Sequence, residues 1–179
     1  MAEDTRENEA APTATSITSK DGRPKKLPKR MVLGKDGKPC RSCNSFADFT
    51  SQKKLITKGA IASGPPSDCP PDVEQLGRSS WTLLHSITAT YPTNPSTSEQ
   101  RNVSQFMGLF SKIYPCWVCA EDFQEFMAKN QVRVESRDAF GKWMCEAHNE
   151  VNRKLGKTEF DCSKWEERWR TGWKDGRCD

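Results

Sequence analysis

The sequence has 179 residues, eight of them cysteine, with 34% hydrophobic residues and a formal net charge of +4, enough for one domain of ordinary size and a tail. No apolar run of 18 residues occurs, and the first twenty residues hold Glu3, Asp4, Glu7 and Glu9 without an apolar stretch, so neither a membrane span, a secretory signal nor an Arg-rich transit peptide is expected. The basic surplus lies in residues 1–66, with 13 Lys and Arg against 7 Asp and Glu, leaving 15 against 17 beyond them.

All six Trp and both Tyr lie at or beyond Trp81, where a core can use their large buried area. Residues 67–179 are therefore the expected folded domain and 1–66 a flexible basic tail. A basic tail also suits nucleic acid or an anionic membrane. Here Ser, Thr, Gly and Pro dilute the charge and no aromatic Trp or Tyr accompanies it, so a solvated linker without a nucleic-acid partner is the expectation.

Residues 1–38 read as linker, with no apolar period. Cys40-Arg41-Ser42-Cys43 follows, with Phe46 and Phe49 three apart as in one helical turn, which predicts a short ordered island on a leash. Gly, Ser and Pro return over residues 57–69. From Pro71 the pattern is helical. Pro70-Pro71-Asp72 opens a helix with Leu76, Trp81, Leu84, His85 and Ile87 largely on one side, and Tyr91-Pro92 closes it. Ser96 and Glu99 form a capping-box pattern ahead of Val103, Phe106, Leu109, Phe110 and Ile113, and Pro115 ends that helix. Cys116 starts a third helix carrying Cys119, Phe123, Phe126 and Met127. Ser136 caps a fourth, whose Phe140, Trp143, Met144, Ala147, His148, Val151 and Leu155 line one face before Gly156 stops it. A short fifth is predicted from Ser163 through Trp169. Four amphipathic helices with short connections predict an all-α bundle.

Two C-x-x-C pairs suit a four-thiolate zinc site, but 72 residues separate Cys43 from Cys116, far more than in compact zinc ribbons. Redox chemistry has a physical reason at Cys116 and Cys119. A cysteine at a helix N-terminus meets unpaired N–H groups and the positive end of the helix dipole, which favour its thiolate. The thiolate attacks disulfides, and a second cysteine one turn on resolves the mixed product. A thioredoxin-like reading would need a βαβ context, which the helical periods do not supply. A helical dithiol domain then needs a separate electron acceptor, and no G-x-G-x-x-G or P-loop is present to hold a dinucleotide in Rossmann fashion. Cys145 and Cys162 enclose 16 residues and suit a structural bridge worth about 3 kcal/mol. Cys69 and Cys178 flank the domain and could pair within a chain or across two copies.

Three stretches carry a family resemblance: Leu76-Gly77-Arg78-Ser79-Ser80-Trp81-Thr82-Leu83-Leu84-His85, Tyr114-Pro115-Cys116-Trp117-Val118-Cys119-Ala120-Glu121-Asp122-Phe123, and Cys145-Glu146-Ala147-His148-Asn149-Glu150-Val151-Asn152-Arg153-Lys154-Leu155-Gly156-Lys157. They resemble the ERV/ALR sulfhydryl oxidases of the mitochondrial branch, over residues 68–179. Upstream, Lys38-Pro39-Cys40-Arg41-Ser42-Cys43 resembles that branch's shuttle motif. The resemblance implies a four-helix bundle with a short fifth helix, FAD held at the bundle mouth and a disordered N-terminal tail.

It also implies roles. Cys119 would be the flavin-proximal thiol and Cys116 the interchange thiol, with Cys40 and Cys43 shuttling electrons from a client to Cys116 and Cys119 of a partner subunit. FAD contacts carry over to Arg78, Ser80, Trp81, His85 and Asp122. They continue at Cys145, His148, Asn149, Val151, Asn152, Lys154, Lys157, Arg168 and Trp169. No metal is implied. A mammalian relative links its subunits through cysteines matching Cys69 and Cys178, so a disulfide-linked homodimer is expected. The implied function is thiol oxidation in the mitochondrial intermembrane space, with that compartment's import oxidoreductase as client and oxygen or cytochrome c as final acceptor. Trp117-Val118 departs from the polar or acidic residues often found between the two family cysteines.

Overall fold

A computed structural model describes residues 31–50 and 68–178 of the chain; the expected linker at 1–30 and most of the expected leash, 51–67, lie outside them. Five α-helices are found among the described residues: α1 (Phe46–Thr50), α2 (Val73–Thr90), α3 (Thr97–Ile113), α4 (Trp117–Lys129) and α5 (Arg137–Lys154). The last four form the expected bundle, α2 packing on α5 and α3 on α4.

Each bundle helix begins on a side chain that satisfies its first free N–H groups. Asp72 accepts from the backbone of Glu74 and Gln75, and Ser96 and Glu99 close a reciprocal capping box. Cys116 itself caps α4 through its sulfur, and Ser136 caps α5 through Ala139. At the far end of α5, Gly156 adopts φ 65° while Lys157 donates to the carbonyl of Asn152, the geometry in which glycine terminates a helix.

Leu84, Tyr91, Met107, Phe140, Trp143 and Met144 make the buried core, flanked by Phe123, Phe126 and Met127 of α4. Trp143 donates its indole N–H to the carbonyl of Asn130 at 3.0 Å, so its burial leaves no polar cost. Truncating Trp143 or Phe140 to alanine would remove about 3–5 kcal/mol.

Two regions refine the expectation. The short fifth helix predicted from Ser163 through Trp169 is present as a 3-10 turn at Cys162–Lys164 running into a π-helical segment at Glu167–Thr171. It is pinned by Trp165, which is buried against Gly141 and donates to Asp138 at 3.1 Å. The backbone widens between that seat and Trp169, whose ring is held elsewhere, and Gly172 at φ 79° ends it.

The segment before Cys40 is not plain linker. Leu33 and Pro39 form an isolated antiparallel bridge around a turn with Gly37 at φ 73°. The buried side chain of Asn44 closes this hairpin, accepting from Val32 N at 2.8 Å and donating to Val32 O at 2.8 Å and Cys40 O at 2.6 Å. The hairpin and the Arg41–Cys43 turn then rest on the bundle. The Arg41 guanidinium donates to Pro70 O, Phe46 N to Asp72 Oδ2 at 2.8 Å, and Trp117 Nε1 to Leu33 O at 2.9 Å.

Candidate active site

Pro115 and the cap position place Cys116 where α4 begins, and its Sγ accepts the backbone N–H of Cys119 at 3.3 Å. The pair is closed as a disulfide, as are Cys40–Cys43 and Cys145–Cys162. Cys116 is 0% exposed, whereas Cys119 is only half-buried. No acidic residue lies in the first turn of α4, so nothing opposes the helix dipole at these sulfurs.

One turn after Cys119, Phe123 meets Trp81 of α2 edge-on at 6.5 Å. This begins an aromatic cluster drawn from four elements. Trp81 stacks on His148 of α5 at 4.1 Å and 3°, and His85 stacks on Trp169 at 4.3 Å and 4°. The two imidazoles share a hydrogen bond, Nε2 of His85 to Nδ1 of His148 at 3.0 Å. Burial, then the charges at His148 and Arg168, lower His85 to about 3. Burial, then Lys157 and Arg168, lower His148 to about 4. Both rings are therefore neutral near pH 7.

The rim is cationic. Arg168 lies 4.2 Å over the Trp169 ring, Lys157 is close enough to act on His148, and Lys154 is bound to Asp122 at 2.8 Å. Neutral rings stacked in two layers suit a flat aromatic ligand, and the cationic rim suits its phosphates. The buried Nδ1 of His85 has no hydrogen-bond partner among the described residues, so the cluster offers a polar edge to such a ligand. A dinucleotide with a flat ring fits this donor set.

Other residues named from sequence take supporting places. Asn149 is spent on the loop after α5, accepting from Phe160 N and donating to Phe160 O, both at 2.8 Å, while Asn152 donates to its Oδ1. Together with Cys145–Cys162 it staples that loop to α5. Ser80 donates to Leu76 O within α2, and Arg78 is exposed beside Glu74. Val151 is half-buried on α5. Cys69 and Cys178 are free and exposed. Sequence reasoning did not single out Asn44, Asp72, Gly141 or Trp117 as site-building residues. Of these Asp72 gave a signal as a capping residue after Pro70-Pro71, and Trp117 as a departure from the residues usual between the family cysteines.

The chain matches the family model described as Erv1 / Alr family over residues 78–170. It is 46% identical over 170 residues to the mitochondrial FAD-linked sulfhydryl oxidase ERV1 of Saccharomyces cerevisiae, covering 81% of this chain and 89% of that one. To the protein of the same name in Schizosaccharomyces pombe it is 39% identical, over 75% of this chain and 88% of the other. Among solved structures, the yeast Erv1 core superposes with a TM-score of 0.59 at 51% identity over 66% of this chain and 99% of that one. The FAD binding domain of Erv1 from Saccharomyces cerevisiae gives 0.57 at 56% identity, over 58% and 99%.

Proposed function

The chain belongs to the Erv1/Alr family, and on that premise we propose that it is a mitochondrial FAD-linked sulfhydryl oxidase that makes disulfides through Cys116 and Cys119. The observation that carries this is the line from the capped disulfide through Phe123 to the paired Trp–His stacks. FAD held there would supply the two-electron acceptor for the dithiol, with oxygen or cytochrome c as the proposed final acceptor.

The protein's own part is thiol exchange and positioning. A client thiolate attacks the Cys40–Cys43 disulfide and the client's second thiol completes the exchange, leaving an oxidised client and two shuttle thiols. A shuttle thiolate then attacks Sγ of Cys116, which breaks the Cys116–Cys119 bond and releases the Cys119 thiolate. The second shuttle thiolate resolves the mixed disulfide and releases Cys116. Two electrons and two protons have then moved from client to the Cys116/Cys119 pair. The N-terminus of α4 would stabilise the thiolates, and Cys119, one turn before Phe123, would be the thiol on the cofactor's side.

Trp81, His85, His148 and Trp169 would clamp the flat rings, and Lys154, Lys157, Arg168 and Arg78 would offset phosphate charge. Asp122 would orient Lys154, and Ser80, Val151, Asn152, Asn149 and the Cys145–Cys162 bridge would complete and brace the wall. Residues 67–179 form the oxidase domain in this reading and 1–66 the shuttle arm.

The proposed assembly is a homodimer. Leu83 on α2 and Leu109 and Ile113 on α3 are exposed by 56%, 61% and 76%, apolar side chains that a second copy would cover, and the free Cys69 and Cys178 would link the copies. Within one chain the hairpin rests on its own α4; in the dimer a partner's hairpin would use the same contacts. The intermembrane space is the proposed compartment, because persistent disulfides need an oxidising one, with its import oxidoreductase as client.

A visible spectrum tests the reading. The purified protein should show a flavin band near ~450 nm that bleaches with a dithiol and returns in air. A colourless protein that also fails to take up added FAD would overturn it.

A further inference from the structure

Between the two disulfides of the relay stands one side chain with an unusual duty. Trp117 is the first residue of α4, inside the C-x-x-C, and is 37% exposed although large and apolar. Its indole N–H is directed away from the bundle core, to the carbonyl of Leu33 at 2.9 Å. Leu33 is the first bridge residue of the hairpin whose other strand runs directly into Cys40. Other anchors, Arg41 to Pro70, Phe46 to Asp72 and Val73 N to the Asn44 carbonyl, hold the hairpin to the chain ahead of and at the start of α2. The Trp117 bond ties the hairpin directly to the helix that carries the acceptor disulfide. Cys116 beside it is fully buried, and the Arg41–Cys43 turn packs on α4.

We propose that Trp117 is the positioning residue of the relay, its indole N–H gripping the Leu33 carbonyl so that the Cys40/Cys43 pair is presented to the Cys116–Cys119 disulfide. The grip reads a main-chain carbonyl and so is indifferent to the side chain at position 33. This rests on the thiol-oxidase reading above and names the residue that aligns its exchange step.

The test uses the full, FAD-loaded chain with Cys40→Ser and Cys119→Ser, which leaves one thiol of each pair to form a Cys43–Cys116 mixed disulfide. Its yield is titrated against glutathione redox buffers and read by mass spectrometry, which does not depend on flavin chemistry. Trp117→Phe keeps a ring but removes the donor and should lower the effective thiol concentration about three- to tenfold, as expected for one hydrogen bond. Asn44→Ala, which loosens the hairpin, should do likewise, and the double variant should lose no more than the larger single effect. A Phe variant within twofold of the parent would overturn the role of Trp117 while leaving the relay intact. Failure of the parent to form any mixed disulfide would overturn both. A second measurement keeps Trp117: hydrogen exchange at its indole N–H should be slowed in the oxidised native chain and accelerate on Asn44→Ala, and free-indole exchange in the native chain would equally overturn the proposal.

Discussion

His85 and His148, 63 positions apart, are joined at 3.0 Å through Nε2 and Nδ1, and each is stacked on a different tryptophan. Two neutral imidazoles thus close the middle of the aromatic cluster, and their proton affinity becomes part of the protein's stability.

The sign follows from linkage. Unfolded histidines protonate near pH 6.5, whereas the folded rings resist protonation down to about 3 and about 4. The unfolded chain binds more protons in between, so stability is complete above the unfolded value and is lost as pH falls toward 4. Melting temperatures of the FAD-free protein should be level from pH 7.5 to 6.5 and decline below. His148→Phe, which keeps a ring on Trp81, should shallow the slope between pH 6.5 and 5; a wild-type curve level down to pH 5 would exclude a neutral pair.

Gly141 should not accept alanine. A Cβ there would lie 2.5 Å from the Trp165 ring, and overpacking of this kind costs about 1–3 kcal/mol. Because Trp169 is four residues beyond Trp165, Gly141→Ala should also lower flavin content at purification. Gly108→Ala on α3, where nothing lies within 4 Å, should instead stabilise by about 0.5–1 kcal/mol. Paired melting curves distinguish a local clash from a general intolerance of substitution.

Replacing Cys145 and Cys162 together by alanine should cost about 2–4 kcal/mol, since the bridge closes a loop of ordinary length. The loop it holds is also bonded to Asn149, so the FAD dissociation constant should rise in the variant. Unchanged melting and unchanged FAD retention would remove the bridge from the proposed site wall.

Leu109→Asp with Ile113→Asp places charge on the exposed apolar face of α3. Sedimentation velocity under reducing conditions should change from dimer to monomer. If the parent is already monomeric when reduced, the apolar face is not the interface and the terminal cysteines alone would join two copies.

Much of this architecture is legible in the residues. Ser96 with Glu99, Ser136, and Gly156 after Leu155 mark helix ends by local hydrogen bonding, which neighbours in sequence suffice to predict. The C-x-x-C at a helix start and the Cys145–Cys162 loop are local as well. The hairpin ahead of Cys40 was hidden because two of its anchors are main-chain carbonyls of Leu33 and Pro70, and a carbonyl has no letter of its own. The Gly141 notch was hidden because a glycine within a helical pattern reads as neutral until Trp165, from another element, is seen to fill it. The pairing of His85 with His148 depends on α2 meeting α5 at one crossing, which periodicity on either helix does not specify.

Asp72 divides its two carboxylate oxygens between two tasks. Burial pushes its acidity down, but N–H donors from Gln75, Phe46 and Glu74 and the nearby Arg41 outweigh this and hold the carboxyl ionised below its usual range. Oδ1 caps α2, while Oδ2 receives Phe46 of the arm. Were the hairpin to leave, Oδ2 would be freed to take water while Oδ1 kept its bonds to the helix. One side chain thus serves both the start of α2 and the hairpin laid against it, beside the bond from Val73 N to the Asn44 carbonyl at 3.3 Å.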